Sequence, residues 1–198
     1  MATENALELA RLGHFTDLEH APYKVAHEMP IARLRRYGGD EEQPEVAAPV
    51  LLIPPLMVTA EIYDVAPDIS GVTALGELGL DVWVIDFGSP EREEGGMHRT
   101  LDDHVKAISD AVDFLREATG HDVHLMGYSQ GGMFAYQVAA YRASEGLASL
   151  VTWGSPVDIH RNFPILRENV AGRVFELVQG AVEGPIDKLE GLPGFLTS

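Results

Sequence analysis

Apolar residues follow two patterns along this chain, and the two alternate. Short, mostly apolar runs lie at 50–53, 82–86, 122–126 and 147–153. A run of this kind is typical of a strand buried on both faces of a parallel sheet. Between these runs the apolar residues have the spacing of a helix, which predicts helices at 68–79, 100–118 and 130–143.

The helix at 100–118 has the most complete set of signals. Thr100 can cap its N-terminus, and Asp102 and Asp103 suit its first turn because the amino end of a helix favours negative charge. Gly120 is a residue that ends helices. One face is apolar, and it consists of Val105, Ile108, Val112 and Leu115.

Strands and helices that alternate in units of about 30 residues imply a parallel sheet joined by right-handed crossovers. The predicted fold class is therefore α/β with a mostly parallel central sheet. Residues 1–20 are predicted to form a short amphipathic helix, 23–37 one or two extended strands, and 38–48 a charged loop. After Pro164 the pattern becomes helical, with no further strand. We divide the chain into 1–48 (N-terminal helix and extended segment), 49–160 (core) and 161–198 (start of a helical cap or lid).

Composition excludes several kinds of function. The net charge of −17 disfavours nucleic acid and anionic membranes as partners. The chain has no cysteine, which excludes a thiol nucleophile and fits a cytoplasmic protein. It has no apolar run of about 18 residues and no secretory signal pattern. The eight histidines lack metal-ligand spacing, so we predict no metal and no cofactor.

A strand-to-helix junction carries the main candidate for chemistry. The third apolar run leads directly into Gly-Tyr-Ser-Gln-Gly-Gly at 127–132, which matches Gly-x-Ser-x-Gly. In this motif the serine, here Ser129, lies on a strained turn that exposes its hydroxyl, and Gly127 and Gly131 avoid a collision. The N–H of Gln130 would point to where an oxyanion forms. The alternative is a glycine-rich turn without catalytic function.

A second oxyanion donor is expected in the loop after the first inner strand. Pro54 and Pro55 have no N–H, so Leu56 is the first available donor and Met57 the next. Alternatively, the two prolines only end the strand.

The same stretches resemble a known family, the polyhydroxyalkanoate synthases and their relatives within the α/β-hydrolase superfamily. The most distinctive match is Asp-Phe-Gly-Ser-Pro at 86–90. The other matching stretches are 49–56, 80–85, 101–104 and 154–158. The resemblance implies the mostly parallel central sheet of an α/β hydrolase.

The chain departs from this family at the strand-to-helix turn around Ser129, which is called the elbow below. The polymerases carry cysteine there, and this chain has Ser129. A thiolate suits repeated thioester exchange, whereas a serine alkoxide suits ester hydrolysis or simple transfer. The chain looks closer to serine-bearing relatives, including domains fused to an acyl-CoA synthetase. That resemblance implies a lipase or triacylglycerol hydrolase activity.

The catalytic Asp and His of the family lie after later strands, beyond a cap domain. Only 40 residues follow Asp158, so we expect the chain to stop within the cap region and to lack the activating base. Asp158 is a candidate acid, and His160 would have to fold back over the elbow to act as base. We predict that His98 and His104 are solvated and that Asp86 caps a turn.

We therefore predict a serine hydrolase or acyltransferase that acts on fatty-acyl or hydroxyacyl esters or thioesters. Its partner would be an acyl ester or acyl-CoA substrate, with a lipid-inclusion surface as a further candidate. The apolar segment 163–196 predicts a homo-oligomer or contact with a missing C-terminal part. Two alternatives stay open: a non-catalytic module that binds acyl chains or a partner, and a polymerase that uses serine.

Overall fold

The computed structural model describes residues 20–38, 48–56 and 58–158. The predicted helix at 1–20 and the predicted cap or lid at 161–198 therefore lie outside the described residues, apart from His20. The same holds for Met57 and His160.

A six-stranded sheet forms the centre of the fold, in the order β1-β2-β6-β3-β7-β8. β6, β3, β7 and β8 are parallel neighbours, and β2 runs antiparallel to β1 and β6. This confirms the predicted α/β class with a mostly parallel sheet. A separate pair, β4 and β5, is antiparallel. The strands are β1 Tyr23–Met29, β2 Ala32–Tyr37, β3 Pro49–Ile53, β4 Asp64–Ala66, β5 Ile69–Ser70, β6 Asp81–Asp86, β7 Val123–Tyr128 and β8 Leu147–Trp153.

In the part of the chain that the structure describes, three α-helices connect the strands: α1 Gly71–Glu77, α2 Leu101–Thr119 and α3 Gln130–Tyr141. Short 3-10 turns lie at Ala60–Tyr63 and Gly96–His98. α2 begins with a capping box between Thr100 and Asp103 and ends at Gly120, whose φ is 72°. α1 is shorter than the predicted helix at 68–79 because Ile69 and Ser70 pair with β4, and the Ser70 hydroxyl then caps the helix.

The two central strands, β6 and β3, are buried along their whole length. Every residue of β3 and of β6 is buried, as their continuous apolar runs predict. Apolar side chains pack on both faces of the sheet: α2 and α3 cover one, and the other packs against α1 and the turn at Ala60–Tyr63. The carboxyl ends of β3 and β7 therefore meet at one rigid edge.

β8 differs from the inner strands because it lies at the edge of the sheet. All of its residues except Leu147 are exposed. The large apolar side chains of Leu150, Val151 and Trp153 are among them. Among the described residues, no helix is long and apolar enough to cross a bilayer.

The prediction that His104 is solvated is wrong. Its ring is only 4% exposed and lies between Phe87 and Phe134, with ring-centroid distances of 4.9 and 5.5 Å. Its Nδ1 donates to the carbonyl oxygen of Thr100 at 2.6 Å. The ring is buried because position 104 lies on the face of α2 that packs against the sheet and α3. His98 is exposed, as predicted.

Candidate active site

The junction of β7 and α3 is a sharp turn with Ser129 at its centre. β7 ends at Tyr128 and α3 begins at Gln130. Ser129 has φ 53° and ψ −118°, in a region that residues with a Cβ rarely adopt. Its side chain is half-buried at the carboxyl edge of the sheet. The structure therefore has the strained turn that the motif predicts, although the catalytic role of Ser129 stays a prediction.

Close backbone packing explains the glycines of the motif. A Cβ on Gly127 would overlap the backbone of Gly131 and Gly132. A Cβ on Gly131 would overlap the carbonyl of Ile53 at the end of β3. Rigid backbone cannot move aside as a flexible side chain would. The glycines allow α3 to begin directly against the ends of β7 and β3.

The backbone of Ser129 is held on both sides. Its N–H donates to the carbonyl oxygen of Trp153 at 2.7 Å. Its carbonyl oxygen accepts from the N–H groups of Gly132 and Met133 at 3.1 and 3.3 Å. Within the described part of the chain, no hydrogen bond to the Ser129 hydroxyl is found. The main chain fixes the position of the residue and leaves the hydroxyl available for a reaction.

Both predicted oxyanion donors lie beside this turn. Gln130 is the first residue of α3, and the first N–H groups of a helix have no partner within the helix. The Leu56 N–H donates to Oε1 of the Gln130 side chain at 2.9 Å. The structure thus brings Leu56 to the elbow, but with its N–H already bonded. Any acyl oxygen at this N–H would have to replace the Gln130 side chain.

Tyr63 is a residue of this site that sequence reasoning missed. Its hydroxyl donates to the carbonyl oxygen of Ile53 at 2.7 Å and accepts from the N–H of Tyr128 at 3.1 Å. Burial raises the pKa of this hydroxyl well above its ordinary value, so the group stays protonated at neutral pH. No local pattern identifies Tyr63, because it lies in a short turn between β3 and β4.

The candidate acid lies in the loop that follows β8. Asp158 is exposed, and the Tyr136 hydroxyl of α3 holds the loop by donating to the carbonyl oxygen of Pro156 at 3.2 Å. His160 lies outside the described residues, so the structure does not test a pairing with Asp158. The roles of both residues stay predictions.

Asp86, at the end of β6, caps a turn as predicted. Its Oδ1 accepts from the Gly88 N–H at 2.8 Å, and its Oδ2 accepts from Nε and Nη2 of Arg35 at 3.1 and 2.7 Å. Burial alone would lower the pKa of Arg35, but the bond and the charge of Asp86 outweigh it and the pKa is raised. Asp86 therefore belongs to a buried ion pair.

A cavity beside this ion pair does not contain the elbow. Its volume is about 220 Å³, and its walls include Arg33, Asp86 and Glu93 but none of Ser129, Gln130 or Leu56. A search of the described residues finds no group of three or more histidine or carboxylate side chains that could hold a metal ion.

A family model described as the alpha/beta hydrolase fold matches residues 62–184, which is more than half of the chain. The chain belongs to this family. The match includes β6, β7, α3 and the elbow. The mature form of Bacillus licheniformis lipase BlEst2 has the same fold, with a TM-score of 0.50 and 15% identity over 83% of this chain and 68% of that one.

Among curated proteins, the chain is similar to poly(3-hydroxyalkanoate) polymerase subunits PhaC. It is 36% identical to the subunit of Haloferax mediterranei over 60% of this chain and 24% of that protein. It is 37% identical to the subunit of Allochromatium vinosum over 63% of this chain and 35% of that protein. The chain thus spans about a quarter to a third of the length of these relatives.

Proposed function

We propose that Ser129 is the nucleophile of a hydrolase or acyltransferase that acts on esters or thioesters. One observation carries this proposal: Ser129 has a positive φ at the start of α3, with its backbone bonded and its hydroxyl open. Residues in strained backbone conformations concentrate at functional sites. In α/β hydrolases this turn is where the attacking group lies.

In the proposed reaction, a bond forms between the serine Oγ and the acyl carbonyl carbon. The hydroxyl proton passes to a general base outside the described residues. Asp158 is the candidate for the acidic residue that would pair with this base. The N–H groups of Gln130 and Leu56 hold the oxyanion, after the Gln130 side chain has left the Leu56 N–H. The C–O or C–S bond of the substrate then breaks, and the alcohol or thiol leaves with the proton that the base accepted. Water, or an acceptor alcohol or thiol, then attacks the acyl-serine, the bond between Oγ and the acyl carbon breaks, and the proton of the attacking group returns to Ser129 through the base.

The substrate class comes from the relatives. They are poly(3-hydroxyalkanoate) polymerase subunits, which supports an acyl or hydroxyacyl substrate for this chain. Serine at position 129 favours ester hydrolysis or a single acyl transfer over polymer growth. A polymerase that uses serine is the second candidate, and the identities of 36–37% to PhaC polymerase subunits favour it.

Labelling by a fluorophosphonate probe tests the nucleophile. In a form of the protein that includes the general base, we expect the probe to attach to Ser129 and the label to disappear in Ser129→Ala, whereas Ser149→Ala on the exposed edge strand keeps it. A folded protein that does not label would contradict the proposal and favour the non-catalytic module. Polymer formed from a hydroxyacyl-CoA would instead favour the polymerase.

A homo-oligomer or contact with a C-terminal part of the protein also remains a proposal. The exposed apolar side chains of β8 support it, because among the described residues β8 is an edge strand, and an edge strand readily accepts another strand. Sedimentation of the protein with Val151→Lys compared with wild type tests the oligomer. A wild-type protein that sediments as a monomer would contradict the homo-oligomer. The predicted lipid-inclusion surface and cytoplasmic location rest on the sequence alone.

A further inference from the structure

Tyr63 places a polar group in an otherwise apolar part of the core. The side chain is 6% exposed and packs in the apolar cluster that contains Val72, Val82 and Val84. Its hydroxyl reaches out of that cluster to two backbone groups, the carbonyl of Ile53 and the N–H of Tyr128. A buried hydroxyl that donates once and accepts once has its main hydrogen-bonding needs met.

The position of these two bonds in the sheet is informative. β3 and β7 are parallel neighbours, and their pairing ends at Ile53 opposite Gly127. Beyond this pair β7 continues into the elbow, and β3 continues into the loop with Pro54 and Pro55. The Tyr63 hydroxyl bridges these two segments where the strand pairing stops.

Each bonded residue lies next to a part of the proposed catalytic machinery. Tyr128 immediately precedes the proposed nucleophile, Ser129. Ile53 immediately precedes the loop that carries Leu56, the proposed oxyanion donor. The Tyr63 hydroxyl therefore connects the segment with Ser129 to the segment with Leu56, and the bond from the Leu56 N–H to the Gln130 side chain is a second connection between them.

We propose that Tyr63 is a positioning residue that sets the separation between the nucleophile and the oxyanion loop. This inference rests on the proposed function of Ser129. The role requires a neutral phenol. A phenolate could not donate to the Ile53 carbonyl, and phenylalanine could neither donate to Ile53 nor accept from the Tyr128 N–H. The raised pKa of Tyr63 agrees with this requirement.

Tyr63→Phe tests the proposal because it keeps the ring and removes only the hydroxyl. We expect kcat for ester cleavage to fall about 10- to 100-fold, with KM changed less than about twofold, because small errors of position cost catalysis more than binding. The affinity for a trifluoromethyl ketone, which forms a tetrahedral adduct, should fall by a similar factor. All measurements are made well below the unfolding temperature of each variant.

Tyr37→Phe is the matched control. Tyr37 is also buried, at 3%, and packs in the same apolar cluster, but none of the hydrogen bonds of the described residues joins its hydroxyl to the elbow. We expect this variant to keep its kcat and ketone affinity. A Tyr63→Phe protein with the kcat of Tyr37→Phe would overturn the proposal.

Amide hydrogen exchange provides a measurement that does not depend on activity. In Tyr63→Phe the peptide with Tyr128 should exchange about tenfold faster or more, and in Tyr37→Phe it should not. Unchanged exchange there would refute the positioning role, even in a protein whose Ser129 proved unreactive. A wild-type protein that fails to label at Ser129 would instead contradict the proposed function.

Discussion

Replacing Ser129 by glycine should stabilise the protein, although it removes the proposed nucleophile. Ser129 has φ 53° and ψ −118°, which glycine adopts readily and residues with a Cβ do not. The comparison is made with Ser129→Ala, because both substitutions remove the hydroxyl. The difference in their free energies of unfolding then reports the backbone strain at this position.

The size of this difference follows from two opposing terms. A residue with a Cβ in such a conformation costs about 1–3 kcal/mol. Glycine loses more conformational freedom on folding and costs about 0.5–1 kcal/mol relative to alanine. We therefore expect Ser129→Gly to be more stable than Ser129→Ala by about 1 kcal/mol, within a range of about 0–2.5 kcal/mol, with Tm higher by about 2–4 °C for each kcal/mol.

Urea denaturation followed by circular dichroism measures the difference, and thermal melts provide a second measurement. Ser149 in β8 is the matched control. Its hydroxyl bonds to Nδ1 of His124, and both control substitutions lose that bond. Because glycine weakens a strand, Ser149→Gly should be less stable than Ser149→Ala by about 0.5–1 kcal/mol.

The difference in free energy of unfolding between the glycine and the alanine variant is therefore expected to have opposite signs at Ser129 and Ser149. If Ser129→Gly were less stable than Ser129→Ala, the turn would not be strained, and the observation that carries the proposed function would be lost. Loss of labelling in both Ser129 variants is expected in either case and does not decide the question.

Three further predictions concern other parts of the site and the fold. Gln130→Met frees the Leu56 N–H from a bond worth about 1 kcal/mol, so fluorophosphonate labelling of Ser129 should be about fivefold faster. Asp86→Asn disrupts a buried ion pair and should lower the free energy of unfolding by about 3–5 kcal/mol, while labelling well below Tm persists. The hydrogen bond from Arg142 lowers the pKa of Asp113. This pair therefore stabilises the folded state above about pH 4 and is lost as the pH falls. Asp113→Asn should be less stable at neutral pH, with a flatter dependence of unfolding free energy on acid pH.

Each of these predictions has a control or a contrary result. Gln137→Met, on the same helix, should leave the labelling rate unchanged, and slower labelling of Gln130→Met would mean that the side chain holds the loop in place. Loss of labelling in folded Asp86→Asn would assign that carboxylate a role in the reaction. A dependence of unfolding free energy on acid pH in Asp113→Asn that equals that of wild type would refute the linkage.

The order of strands and helices was predictable because it depends on local signals. A continuous apolar run predicts a buried strand, and residues such as Thr100 and Gly120 end a helix wherever it packs. The elbow was predictable for the same reason, since its glycines lie within a few residues of Ser129. The strained turn is a property of six consecutive residues.

The contacts around that turn were decided by tertiary structure. Tyr63 meets Tyr128 across 65 positions, and Leu56 meets Gln130 across 74. Both contacts exist only because β3 and β7 are neighbours in the sheet. His104 is buried because α2 turns that face towards the sheet and α3. Sequence patterns report the surroundings of a residue along the chain, whereas bonds between distant segments depend on which strands pair, and that choice is settled only when the whole sheet assembles.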